Sequence, residues 1–449
     1  MVNLDLKTFI LLTETSANFV KAYFDYISFC SKTASAFTNS YAAMVDIYLQ
    51  ERASTNSIEL ERKVMAKARD VFDDKFREQD FLRSVSEVTE AFSRMAKTTG
   101  FGHVYQNISN MAAAWNNLLI EPLRDKIFRT PSHKVHTEGS FSLFHYEDRM
   151  MAVDKSETQS APLLVVYAFI NRHYILDLLP QISVIRNLMQ QGLDIYASDW
   201  GTPGAYDKEL SIGHYVNNYL DSSIDNIIKH ANTDKVSLLG YCWGGDLALM
   251  YASIHPEKVK NVVTFATPGD FALDNGLLAL WTRNTNADAI VDAFGNAPSM
   301  LLNSAFALRS PIDYLHKYPH FFEKMRDLQS IMEFFATEMW LYDSPPVIGE
   351  IYRQFVNDCY KKNLLIQNKM TIGNNTRVDL RKVKTPYLNI VATNDDLVEP
   401  ESSKALNKAV GTFDSRLIEF KSGHVGACIS ANAHKDLWPR VGQWLKEHA

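Results

Sequence analysis

Cysteine is scarce in this chain: there are four in 449 residues, Cys30, Cys242, Cys359 and Cys428. Their spacings fit neither a disulfide framework nor a metal-binding cluster, so no metal is expected and a reducing compartment is. Basic residues are not in excess either. The formal charge is -6 and no block of like charge forms a tail, which removes the usual electrostatic footprint of a nucleic-acid binder. No apolar run approaches the roughly 20 residues needed to cross a bilayer. The first residues lack the basic start and apolar core of a secretory signal. The expectation is a cytoplasmic protein with no transmembrane segment and no nucleic-acid partner. What remains is an ordinary globular composition, 46% hydrophobic and 22% charged, long enough for one large domain and a smaller one.

The most informative stretch is Gly240-Tyr241-Cys242-Trp243-Gly244-Gly245. Before it runs Lys235-Val236-Ser237-Leu238-Leu239, which reads as a buried parallel strand; after it, Asp246 to Ser253 reads as a helix. Small residues two before and two after a nucleophile, between strand and helix, make the G-x-S-x-G elbow with Cys in place of Ser. The turn is strained, and Gly240 and Gly244 let neighbouring backbones pass where a Cβ would block them. A lone cysteine in such a turn is more often structural. Here the glycines, the strand and the helix agree on a nucleophile whose thiolate is favoured by the helix N-terminus.

Residues 1–125 read as helical, with Phe19, Tyr23, Tyr26, Cys30, Phe37, Tyr41, Met44 and Tyr48 forming one aromatic-rich stripe. From about Val135 the pattern changes to strands alternating with helices. Strands are expected at Phe141–Tyr146, Pro162–Ile170, Leu193–Ala197 and Val259–Phe265, with helices at Ile182–Gln191 and Ile212–His230. Such alternation implies a doubly wound, mostly parallel sheet over 126–449. It is interrupted at about 275–375 by a helix-like, aromatic insertion placed to cap the nucleophile. The sheet resumes at Tyr387–Ala392 and Arg416–Phe420.

A nucleophile needs a base and the base an orienting acid, in the chain order nucleophile, acid, His for hydrolase-like sheets. Asp395 and Asp396 follow one late strand and His424 the next, and spacing favours Asp395 of the two acids. Oxyanion donors are expected at the backbone N–H of Trp243 and in the loop near Ile170 or Asn171. Moving an acyl group from a thioester to a protein thiol is nearly isoenergetic. A Cys nucleophile therefore suits onward transfer better than a Ser would.

These residues carry a resemblance. The box Gly240–Gly245 is similar to the G-x-C-x-G-G of polyhydroxyalkanoate synthases. Pro162–Leu178, Gln191–Gly201, Asp343-Ser344-Pro345, Arg353-Gln354-Phe355 and Gly423-His424-Val425-Gly426 resemble further blocks of the short, class III-type catalytic subunits. The resemblance covers about 135–449. It implies an α/β-hydrolase fold with a helical cap insertion, to which the all-helical region read at 1–125 is an addition that the short subunits do not carry. It also implies polymerisation of (R)-3-hydroxyacyl-CoA on Cys242, with His424 as base and Asp395 activating the 3-hydroxyl directly or through His424. No cofactor is implied, since CoA is part of the substrate and a product. Implied partners are the growing polyester at a granule surface, a second copy in a homodimer, and a helical accessory subunit whose work the 1–125 region could share. Three departures from the family pattern stand out: Asp396 for a His, Glu399 for a Pro, and Asp246 for a small or neutral residue. An ionised Asp246 would disfavour the Cys242 thiolate. The alternatives are a cysteine esterase or thioesterase of the same fold, or an inactive granule scaffold.

Overall fold

The computed structural model describes residues 130–147, 161–309 and 328–449. Two compact units are separable, residues 1–117 with 284–286 and residues 118–283 with 287–449, and the described residues fall almost wholly in the second. The helices and aromatic stripe expected over 1–125 lie outside the described residues.

Ten strands occur among these residues: β1 (Ser132–Glu138), β2 (Phe141–Tyr146), β3 (Leu163–Val166), β4 (Ile195–Asp199), β5 (Val236–Tyr241), β6 (Val259–Phe265), β7 (Thr371–Ile372), β8 (Thr376–Arg377), β9 (Tyr387–Ala392) and β10 (Ser415–Phe420). Eight form one sheet in the order β1-β2-β4-β3-β5-β6-β9-β10, and β7 with β8 makes a separate small ribbon. From β4 to β10 the pairing is parallel; β1 and β2 are antiparallel additions at one edge. The central strands β3, β5 and β9 are buried at every position. This is why they read as continuous apolar runs rather than as alternation.

Two expectations need correction. The strand foreseen over Pro162–Ile170 stops at Val166. Tyr167 leaves the ladder because its N–H donates to the Ser198 hydroxyl at 3.0 Å and its carbonyl accepts from the Trp200 indole at 2.9 Å. The helix foreseen at Ile212–His230 contains a wider, π-type turn over Tyr215–Leu220 before Asp221–Ala231. Between β6 and β9 the described chain is mainly helical, with helices Leu277–Asn284, Ala287–Phe294, Ser299–Arg309, Leu328–Tyr342 and Gly349–Gln354.

Candidate active site

Strand β5 lies between β3 and β6, so the residue after it emerges at the middle of the sheet's carboxyl edge. That residue, Cys242, has φ 52° and ψ -128°. For a side chain with a Cβ such a conformation costs on the order of 1–3 kcal/mol and persists only where its surroundings enforce it. Enforcement comes from both sides of the residue. The Cys242 N–H donates to the Phe265 carbonyl, and the Cys242 carbonyl accepts from the Gly245 N–H, each at 2.9 Å. The flanking glycines are required by contact. A Cβ on Gly240 would lie 2.3 Å from the Gly245 Cα, and one on Gly244 would lie 2.0 Å from the Val166 carbonyl oxygen.

The helix Trp243–Ile254 starts at once, and no side chain caps it. The Trp243 N–H has no acceptor within the helix, and the positive end of the helix dipole faces the Cys242 position. Cys242 is half-buried, whereas Cys359 and Cys428 are free and buried. Burial pushes the Cys359 and Cys428 thiols up, away from reactivity.

His424 and Asp395 meet as the chain order anticipates. The loops after β9 and β10 are tied together, the Thr393 N–H donating to the Phe420 carbonyl at 2.9 Å and the Asn394 N–H to that of Ser422 at 3.0 Å. His424 Nδ1 donates to Asp395 Oδ2 at 2.6 Å, since a carboxylate can only accept. The other Asp395 oxygen accepts from the N–H groups of Leu397 at 2.9 Å and Val398 at 3.0 Å. These bonds fix the orientation of the carboxylate. Asp395 is buried against His424, whereas Asp396 is exposed. Burial opposes charge on His424, but the Asp395 carboxylate and the hydrogen-bonded Cys242 thiol outweigh it and push the imidazole up to about 10. The ring also packs on Tyr241, centroids 5.2 Å apart.

The proposed oxyanion loop sits further from its strand than expected, because β3 ends four residues before Ile170. Ile170 is half-buried, and Asn171 takes a left-handed φ of 63°. The loop is held from the helical insertion: the Ser344 hydroxyl donates to Asn171 Oδ1, and the Trp340 indole donates to the Arg172 carbonyl at 2.7 Å. Asp343 accepts from the Tyr174 hydroxyl at 3.0 Å and from Arg172 Nε at 3.4 Å. Phe169 packs at a tilt against Trp243, ring centroids 5.3 Å apart, which brings this loop against the start of the elbow helix. Phe355 and Phe271 complete an aromatic wall on Trp243, at 4.8 and 5.6 Å.

Two acids near the nucleophile behave unlike surface carboxylates. Asp246 is fully buried, and neither of its oxygens has a hydrogen-bond partner. Burial, with the Cys242 thiol adding to it, raises its carboxyl well above the ordinary range and favours the neutral form. The Cys242 contribution to that rise is the same opposition between carboxylate and thiolate seen from the acid's side, and protonating Asp246 relieves it. Asp274 was not foreseen. It lies beyond the carboxyl end of β6, 2% exposed. Burial raises it to about 7, opposed by the Gly276 N–H, with the Glu399 and Asp395 charges adding and the Arg283 charge opposing. Its position on the same rim as Cys242 was the available signal. Glu399 accepts from the Asn275 N–H at 3.3 Å.

Comparison with known proteins bears on what this assembly does. A family model described as the alpha/beta hydrolase fold matches residues 161–427. The chain is 40% identical over 325 residues to the poly(3-hydroxyalkanoate) polymerase subunit PhaC of Haloferax mediterranei, spanning 72% of this chain and 65% of that one. It is 39% identical over 321 residues to the PhaC of Thiocystis violacea, spanning 71% of this chain and 89% of that one. The PhaC of Allochromatium vinosum is 37% identical over 319 residues, with 71% and 89% covered.

Proposed function

The chain belongs to the poly(3-hydroxyalkanoate) polymerase PhaC family, on the α/β-hydrolase fold, and from that premise we propose that it is a polyhydroxyalkanoate synthase working through Cys242. The observation that carries the reaction class is identity of 39% across 89% of a PhaC chain. The site geometry supports the route.

In that route Cys242 gives its proton to His424 and its sulfur attacks the thioester carbonyl of (R)-3-hydroxyacyl-CoA. Backbone N–H groups of Trp243 and of the Ile170–Asn171 loop receive the developing oxyanion. The tetrahedral adduct collapses to acyl-Cys242. The CoA sulfur leaves with the proton from His424, which returns the ring to its neutral form. The 3-hydroxyl of the next acyl unit then gives its proton to His424 and attacks the acyl-Cys242 carbonyl. An ester bond forms, the Cys242 sulfur is released and takes back the proton from His424, and the extended chain, still a CoA thioester, re-acylates Cys242 in the next round. Asp395 orients the ring throughout and stabilises its charged form, as the 2.6 Å contact supports. No cofactor is needed, because CoA enters with the substrate and leaves as product. The aromatic wall of Trp243, Phe271 and Phe355 favours exclusion of water from the acyl-enzyme. No helix among the described residues is long and apolar enough to cross a membrane. Within this reading the enzyme works in the cytoplasm at the surface of the polyester granule, as a homodimer, with a helical accessory subunit docking through the 1–125 region.

The test is release of CoA from 3-hydroxybutyryl-CoA with analysis of the product. Wild type yields free CoA and insoluble polyester, Cys242→Ala none, and His424→Ala slower release by about 10²–10⁴-fold. Free hydroxy acid in place of polyester would assign a thioesterase. Unchanged CoA release by Cys242→Ala would remove the proposed nucleophile.

A further inference from the structure

We propose that the edge hairpin β1–β2 carries a structural zinc site made by His133, His145 and Glu147, separate from the catalytic centre. His133 and His145 face each other across the antiparallel pair, with ring centroids 5.2 Å apart. One ligand atom from each of the three residues lies within 4.8 Å of the others. His145 organises the cluster. It is 5% exposed, and Tyr196 stacks on it at 4.3 Å. Its Nε2 donates to Asp194 Oδ1 at 2.7 Å. With the proton there, Nδ1 holds the lone pair, and that atom is buried without a hydrogen-bond partner. An unpaired buried polar atom is unfavourable. Here it is aimed at Glu147, whose Oε1 is 3.6 Å away, too far for a hydrogen bond.

That distance suits a shared cation. Zinc–nitrogen and zinc–oxygen bonds of about 2.0–2.2 Å at a tetrahedral centre separate neighbouring ligand atoms by roughly 3.4 Å. His133 is exposed, so its ring can turn to close the third contact. A carboxylate on the far nitrogen of a ligating histidine fixes tautomer and ring orientation, the place Asp194 occupies. Two imidazoles and one carboxylate, with water in the fourth position, suit zinc rather than magnesium or calcium, which take oxygen ligands.

The location argues for a structural task. Asp194 and Tyr196 lie at the start of β4, while Cys242 lies beyond the carboxyl end of the parallel strands. Zinc there would fasten the two antiparallel edge strands to the body of the sheet and leave Cys242 chemistry alone. The expectation of no metal rested on cysteine spacing, which says nothing about histidines paired across a hairpin.

The experiment uses the untagged full chain, stripped with a chelator and titrated with Zn²⁺ at micromolar concentration, and in parallel with Co²⁺ as a spectroscopic substitute. One equivalent should bind with a raised unfolding temperature, and Co²⁺ should give a visible band of low coordination number. His133→Asn and Glu147→Gln, both at exposed positions, should each weaken binding by about 10- to 100-fold, on the scale of losing a ligand's support. Polymerisation by these variants should match wild type. No uptake by wild type, or equal affinity in both variants, overturns the proposal. Failure of the zinc site leaves the synthase reading untouched, since the two are read by different measurements.

Discussion

Asp246→Asn tests the most unusual charge state in the structure. The side chain is 0% exposed and both oxygens are unpartnered, so the folded protein holds the carboxyl protonated. The unfolded chain releases that proton above about pH 4. For an acid whose folded value is raised, the native state binds more protons than the unfolded one. Stability therefore falls as pH rises above the unfolded value. The slope for one proton is about 1.4 kcal/mol per pH unit. Asn preserves shape and neutrality but cannot titrate. Between pH 5 and pH 7 wild type should lose stability relative to Asp246→Asn at each step, up to that slope for as long as the folded carboxyl keeps its proton. All other ionisable groups are common to both chains and cancel in the difference. Urea unfolding at pH 5, 6 and 7 can be followed by pulsed labelling of Cys428, which is 0% exposed and so reports opening of this unit. Mass spectrometry separates its peptide from that of Cys242. Parallel stability curves for the two proteins would mean that Asp246 is ionised in the fold and that its neutrality is wrong.

Two further outcomes are expected. Gly244→Ala places a Cβ 2.0 Å from the Val166 oxygen, a backbone atom that cannot yield cheaply. Overpacking of this kind costs about 1–3 kcal/mol or more. The variant should show a lower urea midpoint and lose acylation of Cys242 together, whereas a Cys242→Ala control keeps its midpoint. Asp274, raised to about 7, should give an infrared carboxylic-acid band that disappears as pH rises through neutrality and is missing in Asp274→Asn. Its proton is held in the fold and released on unfolding, so its stability contribution falls between about pH 4 and 7 and is flat above. A band that persists unchanged in the Asn variant would refute the assignment.

What could be read from the sequence was local or periodic. The elbow is one strand, one turn and one helix within a single short stretch, Val236 to Ile254, so Gly240, Cys242 and Gly244 announce it without tertiary information. His424 was legible by its place after the last strand. β1 was missed because Ser132–Glu138 is mostly exposed and has no apolar face to repeat. The early end of β3 was hidden, since Tyr167, Ala168 and Phe169 are as buried as the strand before them. Burial there comes from loop packing and side-chain partners, which hydropathy cannot distinguish from a ladder. Asp395 and Asp396 are chemically identical in sequence. Only the fold buries one and exposes the other. The surroundings of Asp246 likewise include Cys359, Tyr360 and Tyr387, close enough to feel its charge, and no window around residue 246 contains them.

The charge pattern explains why an acid in the first turn of the elbow helix does not spoil the site. An ionised carboxylate at that position would satisfy the positive end of the helix dipole from below and leave less of it for the reacting group. A protonated Asp246 leaves the dipole uncompensated by any side-chain cap, and in the proposed route it acts on the Cys242 sulfur and on the oxyanion formed on its acyl group. In the proposed route Asp395 supplies a fixed negative charge, and it offsets the charge that His424 takes on each time it holds the travelling proton. Acylation and transfer then move a single proton between sulfur, imidazole and hydroxyl within a constant net charge. A buried, aromatic-lined site tolerates that arrangement better than one in which charge accumulates at each step.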